Sequence, residues 1–152
     1  DLFNVIPLTE EYLRQAGLSE RVETVVGNYE IGTLGTGFDL VFLSAIIHSN
    51  SPDQNRALIR KCVEALTPNG QLVVQDFIVD EDRTGPPFGA LFALNMLVGT
   101  EAGDTYTESE VRGWMEEAGL RGIVRQDTVF GTSLLIGRTE AGGHSGRPAP
   151  RP

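Results

Sequence analysis

The sequence is poor in cysteine, histidine and basic residues, and each shortage excludes a class of site. The single cysteine, Cys62, cannot form a disulfide within the chain, and no Cys/His cluster has the spacing of a metal site. The sequence has 12 Lys and Arg and 21 Asp and Glu, which gives a net charge of −9. We therefore expect no nucleic-acid partner, because phosphate binding requires a basic surface. No apolar run approaches the ~20 residues of a membrane span, so no membrane contact is expected.

The two ends of the sequence do not resemble natural domain boundaries. No Met and no charged-then-apolar leader open the chain, and a cytoplasmic protein is predicted. Residues 139–152 are rich in Gly and Pro, lack periodicity and are predicted to form a disordered tail. That tail contains His144, which leaves His48 as the one histidine of the predicted fold, residues 1–138.

Hydrophobic periodicity predicts helices that alternate with strands. The predicted helices cover residues 7–16, 52–66, 88–99 and 106–119. The predicted strands cover residues 21–26, 38–44, 71–79, 123–130 and 132–138. The strand at 38–44 is apolar enough to be covered on both faces, and the apolar helix at 88–99 is expected to be buried. This order predicts an α/β fold with a mostly parallel sheet, closed by an antiparallel hairpin.

Capping signals mark the ends of two of these helices. Ser51 is a good N-cap, and Pro52 suits the first helical position. Thr107 and Glu110 have the spacing of a capping box, and Gly119 is a C-terminal stop signal. The start of the second helix therefore lies shortly after the predicted strand at 38–44, with His48 between them.

Four segments in this order resemble a class I S-adenosylmethionine-dependent methyltransferase: "RVETVVGNYE", "FDLVFLSAIIHS", "LIRKCVEALTPNGQLVVQDFIVDEDRTGPP" and "MLVGTEAGDTYTESEVRGWMEEAGL". More narrowly, they are similar to the small-molecule O-methyltransferases that carry an N-terminal dimerisation domain. The resemblance implies a Rossmann-like sheet with strand order 3-2-1-4-5-7-6 and an antiparallel seventh strand. On that map residues 21–27 are the third strand, residues 38–44 the fourth and residues 71–77 the fifth.

The resemblance also implies that the first strand and its glycine-rich loop are missing from this chain. The run "GTLGTG" lies too late in the fold to be that loop and is typical of a plain surface loop. The chain is therefore predicted to be the C-terminal part of a catalytic domain whose full-length protein is a homodimer. Alone, it would expose an edge of the fourth strand, so we expect it to rearrange or associate and to be inactive.

Methyl transfer to a hydroxyl requires that donor and acceptor are held together and that the hydroxyl proton is removed. Histidine suits proton removal, and His48 follows a strand end, where open α/β sheets bind ligands. The resemblance implies that His48 is the general base and that Asp76 orients it. Plant members read His-Asp-Trp where this chain reads His-Ser-Asn, and a second family glutamate is replaced near Thr105. The residues alone also allow a histidine that fills space and a solvated Asp76.

The resemblance assigns five residues to S-adenosylmethionine. Asp1 would accept hydrogen bonds from the ribose hydroxyls, as a carboxylate does well. Asn28 and Tyr29 would face the adenine, although the family usually has Asp at the first of these positions; a turn-forming Asn28 is the alternative. Ser44 and Ala45 would approach the methionine part of the cofactor, largely through backbone.

The acceptor is expected to be a small molecule with an aromatic or polyketide-like hydroxyl. Phe92, Asn95 and Met96 resemble the acceptor-pocket helix of the family, although a Phe/Met stripe is also typical of plain core. No metal is predicted, because "VDEDRT" lacks calcium-loop spacing and is typical of a solvated turn. The alternative function is a truncated, non-catalytic binding domain. A nicotinamide-dependent oxidoreductase is disfavoured by the terminal hairpin and the absence of a Tyr-x-x-x-Lys dyad.

Overall fold

A computed structural model describes residues 1–141 and divides into two units, Asp1–Leu34 and Gly35–Pro152. Each unit is described by itself. From residue 142 onward the predicted tail lies outside the described residues. Thr139, at the start of that predicted tail, donates its backbone N–H to Gly70 O at 3.0 Å and its hydroxyl to Thr67 O at 2.9 Å.

The first unit contains one helix, α1 (Ile6–Gln15), which ends before Gly17 with φ +68°. The strand predicted at 21–26 is wrong, because residues 22–28 form no strand. Asp1 N donates to Val25 O at 2.7 Å, and Gly27 N donates to Asp1 O at 2.8 Å. This is the bonding pattern of a parallel pair. Within the described residues of this unit, only Asp1 forms such backbone bonds with the predicted strand segment. A single residue is too short a partner to form a β-ladder.

The second unit is built on a four-stranded sheet with the order β1-β2-β6-β5. Its strands are β1 (Phe38–Ser44), β2 (Leu66–Asp76), β5 (Arg121–Asp127) and β6 (Ser133–Arg138). β1 and β2 are parallel, whereas β6 is antiparallel to both β2 and β5. Three of the four strands therefore run in one direction. The α/β class, the terminal hairpin and the order of the fourth, fifth, seventh and sixth family strands are confirmed.

A second, two-stranded parallel sheet joins β3 (Ile78–Val79) to β4 (Tyr106–Thr107). The strand predicted at 71–79 is thus interrupted at Phe77, because Ile78 and Val79 pair with β4 rather than with the main sheet. The start of β2 also precedes the predicted start, since Leu66 already pairs with Phe38.

Three helices complete the second unit: α2 (Pro52–Ala65), α3 (Pro87–Gly99) and α4 (Glu108–Glu117). The capping signals predicted at the starts of α2 and α4 are both confirmed. Ser51 Oγ accepts the N–H of Gln54, and Thr107 Oγ1 accepts the N–H of Glu110, each as part of a capping box. Gly119 has φ +98°, a conformation that glycine adopts without strain, and it follows the C-terminus of α4.

The core lies between the main sheet and the helices α2 and α4. These helices contribute buried apolar side chains, and the sheet contributes those of alternate residues. Its members include Leu58, Ile59, Cys62, Val63, Leu72, Val74, Val111, Trp114, Met115 and Leu135. The ring of Trp114 packs edge-on against Tyr106 at a centroid distance of 4.8 Å. None of the described helices is long and apolar enough to cross a membrane.

Two predictions of burial are wrong. β1 is not covered on both faces, since Leu40 and Phe42 are each 53% exposed. The helix predicted at 88–99 is not buried either, because Leu97 is 73% exposed, and only Gly89 and Met96 of α3 are buried. Apolar composition predicts burial only where neighbouring elements supply a cover, and a helix that is apolar all round needs that cover on every side.

Candidate active site

The site begins where β1 ends and the chain turns towards α2. Ser44 is the last residue of β1, and Ala45 has φ +55°, a conformation that is uncommon for a residue with a side chain. Ala45 N donates to Gln75 O at 3.0 Å, which fixes this bend to β2. A single 3₁₀ turn, Ile47–Ser49, follows and carries His48. We call this segment the His48 turn.

Parallel pairing brings His48 next to Asp76. Ser44 lies opposite Gln75, so β1 and β2 end at the same edge of the sheet. His48 Nδ1 lies 2.8 Å from Asp76 Oδ1 and 3.1 Å from Oδ2. The Asp76 side chain is 2% exposed and that of His48 14%. The two residues predicted to form the catalytic pair are therefore hydrogen-bonded in a nearly buried setting.

The environment of Asp76 indicates which nitrogen of His48 carries hydrogen. Its carboxylate also accepts the backbone N–H groups of Phe77, at 2.8 Å, and of His48, at 3.3 Å. An ionised carboxylate only accepts, so Nδ1 of His48 must donate. The neutral ring then has a lone pair on Nε2. Within residues 1–141 no hydrogen bond to Nε2 forms, so that lone pair is open to a ligand.

Aromatic rings form a wall beside His48. The His48 ring meets Phe92 of α3 edge-on at a centroid distance of 5.0 Å. Phe77 lies 4.9 Å from both Phe88 and Phe92, and Phe88 stacks on Phe92 at 6.0 Å. Phe77 and Phe88 were absent from the sequence prediction. The i, i+4 spacing of Phe88 and Phe92 on one helix face was a signal that could have indicated Phe88.

The other two predicted acceptor residues differ in their surroundings. Met96 is 9% exposed and packs in the interior. Asn95 is exposed on α3, and no described contact joins it to His48. The structure therefore places Phe92 at His48, whereas the assignment of Asn95 and Met96 to an acceptor pocket stays a prediction.

The loop before β4 contacts the backbone of the His48 turn. Asp104 N donates to His48 O at 3.0 Å. Thr105, at the position of the replaced family glutamate, is 2% exposed. A Cβ on Gly103 would lie 2.3 Å from His48 O, 2.5 Å from Thr100 Oγ1 and 3.2 Å from Ser49 Cα. The loop can therefore lie this close to the His48 turn only because residue 103 has no side chain.

We expect Gly103→Ala to lower the free energy of unfolding by about 1–3 kcal/mol, because the added methyl group overpacks a contact with backbone. Gly113→Ala is the matched control, since nothing lies within 4 Å of its Cβ position in α4. There alanine should be neutral or stabilising by about 0.5–1 kcal/mol. Urea unfolding measures both. Equal midpoints for the two variants would show that the Gly103 contact imposes no constraint.

The first unit holds three of the predicted cofactor residues. Asp1 pairs beside Val26, two residues before Asn28, so the structure brings Asp1 and Asn28 to the same end of this unit. Asp1 Oδ1 accepts the N–H of Leu2 at 2.7 Å, and Oδ2 accepts no hydrogen bond from the described residues. Asn28 Oδ1 accepts the N–H of Glu30 at 2.8 Å, as in an Asx turn. Tyr29 is partly buried. An open carboxylate oxygen and an amide fit a ribose diol and an adenine.

The second unit holds the other two predicted cofactor residues. Ser44 Oγ donates to Gln75 Oε1 at 2.9 Å. Because the hydroxyl hydrogen is used in this bond, a ligand would contact Ser44 through its backbone. Ala45 follows with its positive φ, and residues held in such conformations cluster at ligand sites. These observations agree with a backbone contact to a ligand, and the assignment stays a prediction.

The acidic stretch after β3 is held by its own hydrogen bonds. The N–H and the hydroxyl of Thr84 donate to Asp82 and hold the pKa of its carboxyl below the usual range. Arg83, which the sequence prediction missed, contacts Asp104 at 3.0 Å and Glu110 at 2.8 Å. It ties this stretch to α4. No group of three His, Cys, Asp or Glu side chains in the described part of the chain could hold a metal ion.

Comparison with known proteins connects this geometry to a family. The O-methyltransferase domain family matches residues 1–121. The chain belongs to this family. The family resemblance deduced from the four sequence segments is therefore confirmed.

Curated relatives of this O-methyltransferase domain are longer than the chain. The 3-hydroxy-5-methyl-1-naphthoate 3-O-methyltransferase of Streptomyces sahachiroi is 37% identical over 78% of this chain and 34% of its own length. The tetracenomycin polyketide synthesis 8-O-methyl transferase TcmO of Streptomyces glaucescens is 32% identical over 91% of this chain and 40% of its own length. The chain thus spans a third to two fifths of these relatives.

A solved structure supports the same membership. PigF of Serratia sp. (strain ATCC 39006) is an S-adenosyl-L-methionine-dependent methyl transferase. The structure of PigF with SAH matches 91% of this chain and 41% of its own, with a TM-score of 0.83 and 26% sequence identity. The fold of this chain therefore matches that of part of PigF over nearly all of the described residues of the chain.

Proposed function

We propose that the chain is the C-terminal part of the catalytic domain of an S-adenosylmethionine-dependent O-methyltransferase, with His48 as general base. The observation that carries this proposal is the hydrogen bond of 2.8 Å from His48 Nδ1 to the buried Asp76. It leaves Nε2 as a base at the edge where β1 and β2 end, beside the ring of Phe92.

His48 removes the proton of the acceptor hydroxyl as the hydroxyl oxygen forms its bond to the methyl carbon. The proton goes to Nε2, and Asp76 stabilises the imidazolium that results. S-adenosylmethionine, when bound, supplies an electrophilic methyl group on a sulfonium, which becomes a neutral thioether when the carbon–sulfur bond breaks. The products are a methyl ether, S-adenosylhomocysteine and a protonated His48, which then releases its proton to water.

The residues proposed to hold the cofactor are Asp1, Asn28, Tyr29, Ser44 and Ala45. The carboxylate of Asp1 suits the ribose hydroxyls, since Oδ2 accepts no hydrogen bond within the described residues. The amide group of Asn28 suits the adenine. Cofactor binding by relatives supports this proposal, because PigF has been solved with SAH.

We propose that the acceptor is a small aromatic or polyketide-like molecule with a free hydroxyl. The rings of Phe77, Phe88 and Phe92 offer an apolar aromatic surface next to the base, which suits an aromatic acceptor. Relatives are named for a naphthoate substrate and for tetracenomycin polyketide synthesis. Asn95 and Met96 remain candidates for the rest of this pocket. The homodimer and the cytoplasmic location also remain predictions.

The alternative is that the chain is a truncated, non-catalytic domain with only a binding role. The exposed Leu40 and Phe42 of β1 and the missing glycine-rich loop favour that alternative for the chain alone. Both alternatives allow the chain to be inactive in isolation. They differ for the full-length protein in which we propose that the chain lies.

Calorimetric titration with S-adenosylmethionine separates these readings. We expect the full-length protein to bind it, and the isolated chain to bind at least about tenfold more weakly, because the loop that contacts the methionine part is missing. A full-length protein that bound no S-adenosylmethionine would overturn the proposed function. Equal affinities of the two proteins would overturn only the prediction that the isolated chain is deficient.

A further inference from the structure

We propose that Asn55 is a positioning residue for His48, which it serves by fixing both ends of the His48 turn. This inference rests on the proposed function, since it concerns the orientation of the proposed base. Asn55 lies among the buried residues of α2, at a position that a helix usually fills with an apolar side chain. The sequence patterns did not indicate a role for it.

The side chain of Asn55 bridges the two ends of the His48 turn. Asn55 lies in the first turn of α2 and is fully buried, with 0% exposure. Its Nδ2 donates to Ile47 O at 2.9 Å, and its Oδ1 accepts from Asn50 Nδ2 at 3.0 Å. Ile47 begins the turn, and Asn50 follows it. The amide of Asn55 therefore links the two ends of the turn, in addition to the backbone bond of 3.3 Å from Asn50 N to Ile47 O.

The turn depends on such outside contacts because it is short. It has three residues, and no side chain caps its N-terminus. Asp104 N bonds His48 O at 3.0 Å, and the hydroxyl of Tyr106 donates to Asn50 O. Burial raises the pKa of Tyr106 to about 12, so its hydroxyl remains a donor at neutral pH. The turn is thus held by α2 through Asn55, by β4 through Tyr106 and by the Asp104 loop.

Asn55 is the contact that can be altered with the least change in shape. Asp is nearly isosteric with Asn and can still accept from Asn50, but its oxygen cannot donate to Ile47 O. Leu has a similar size and leaves both Ile47 O and the Asn50 amide without this partner, which is costly for buried polar groups. A misplacement of the base by 1 Å is enough to lower the rate about 10²-fold.

The test compares Asn55→Asp and Asn55→Leu with Cys62→Ala in the full-length protein. Cys62 is buried on the same helix and belongs to the core, not to the His48 turn, so Cys62→Ala controls for lost stability. We expect both Asn55 variants to lower kcat about 10- to 100-fold, while the S-adenosylmethionine Kd stays within about twofold. We expect Cys62→Ala to lower the unfolding midpoint and leave kcat within about twofold.

Nitrogen-15 NMR of the imidazole ring adds a readout that does not depend on activity. In the wild type, His48 should show one neutral tautomer with hydrogen on Nδ1. In the Asn55 variants, we expect a mixture of tautomers, because the ring is no longer held against Asp76. Cys62→Ala should keep the wild-type spectrum.

The outcomes separate this inference from the proposed function. If both Asn55 variants keep the wild-type kcat and His48 spectrum while His48→Gln loses activity, Asn55 is not a positioning residue and the proposed function stands. If Cys62→Ala loses as much kcat as the Asn55 variants, a general loss of packing explains the effect and the inference is overturned. If His48→Gln remains active, the proposed function is overturned, and the NMR spectra alone then decide whether Asn55 orients the ring.

Discussion

Replacing His48 with glutamine in the full-length protein is expected to lower kcat for methyl transfer by about 10²- to 10⁴-fold, the range typical of a lost general base. Glutamine can still donate to the Asp76 carboxylate, so the buried charge keeps a partner and the fold should survive. The S-adenosylmethionine Kd should change by no more than about twofold, because His48 is not among the residues proposed to bind the cofactor.

The second histidine is the matched control for this prediction. His144 lies in the predicted tail, outside the described residues, and His144→Gln should leave kcat within about twofold of wild type. Single-turnover kinetics with saturating cofactor measure the chemical step directly. Methyl transfer by His48→Gln at a near wild-type rate would remove the general-base role, whatever the affinity for the acceptor.

Asp76→Asn is expected to lower kcat by about 10²-fold or more, since a neutral amide no longer stabilises the imidazolium. The amide oxygen can replace only one of the two carboxylate oxygens. If it keeps the N–H of Phe77, its NH₂ group faces the N–H of His48, which the carboxylate now accepts at 3.3 Å. If the amide flips, it donates towards Nδ1 and favours the tautomer whose Nε2 carries hydrogen and cannot act as a base.

Asp53→Asn is the control for the loss of a carboxylate, because the side chain of Asp53 is 95% exposed on α2. We expect that variant to keep kcat within about twofold of wild type and its free energy of unfolding within about 0.5 kcal/mol. Circular dichroism and urea unfolding establish whether Asp76→Asn remains folded before its kinetics are compared. A folded Asp76→Asn protein with wild-type kcat would show that the carboxylate is dispensable, and His48 would then need another orienting group.

The His48–Asp76 pair illustrates how much of the site is local in sequence. Asp76 ends β2, His48 lies shortly after the end of β1, and the capping signal of Ser51 marks where α2 begins after His48. Two consecutive parallel strands with a helix between them must end at one edge of the sheet, so their end residues meet. The hydrogen bond between the pair follows from these local patterns, although their catalytic roles remain predictions.

The failed predictions share a different cause. Residues 21–26 have a strand pattern, yet only Asp1 pairs with them within the described first unit. α3 has the composition of a buried helix, yet Leu97 is 73% exposed. Backbone pairing and burial depend on neighbours that lie far apart in sequence or outside this chain, and composition cannot supply them.

The sequence by itself determined the family, through the resemblance of four segments. It also determined the α/β class and the positions of His48 and Asp76 near strand ends, because these depend on periodicity and capping within short segments. Only the tertiary structure revealed that Asn55 holds the His48 turn and that Gly103 must lack a side chain. It also decided which aromatic rings meet at the base. Such contacts join residues on separate elements, and their distances are set by packing rather than by any pattern along the chain.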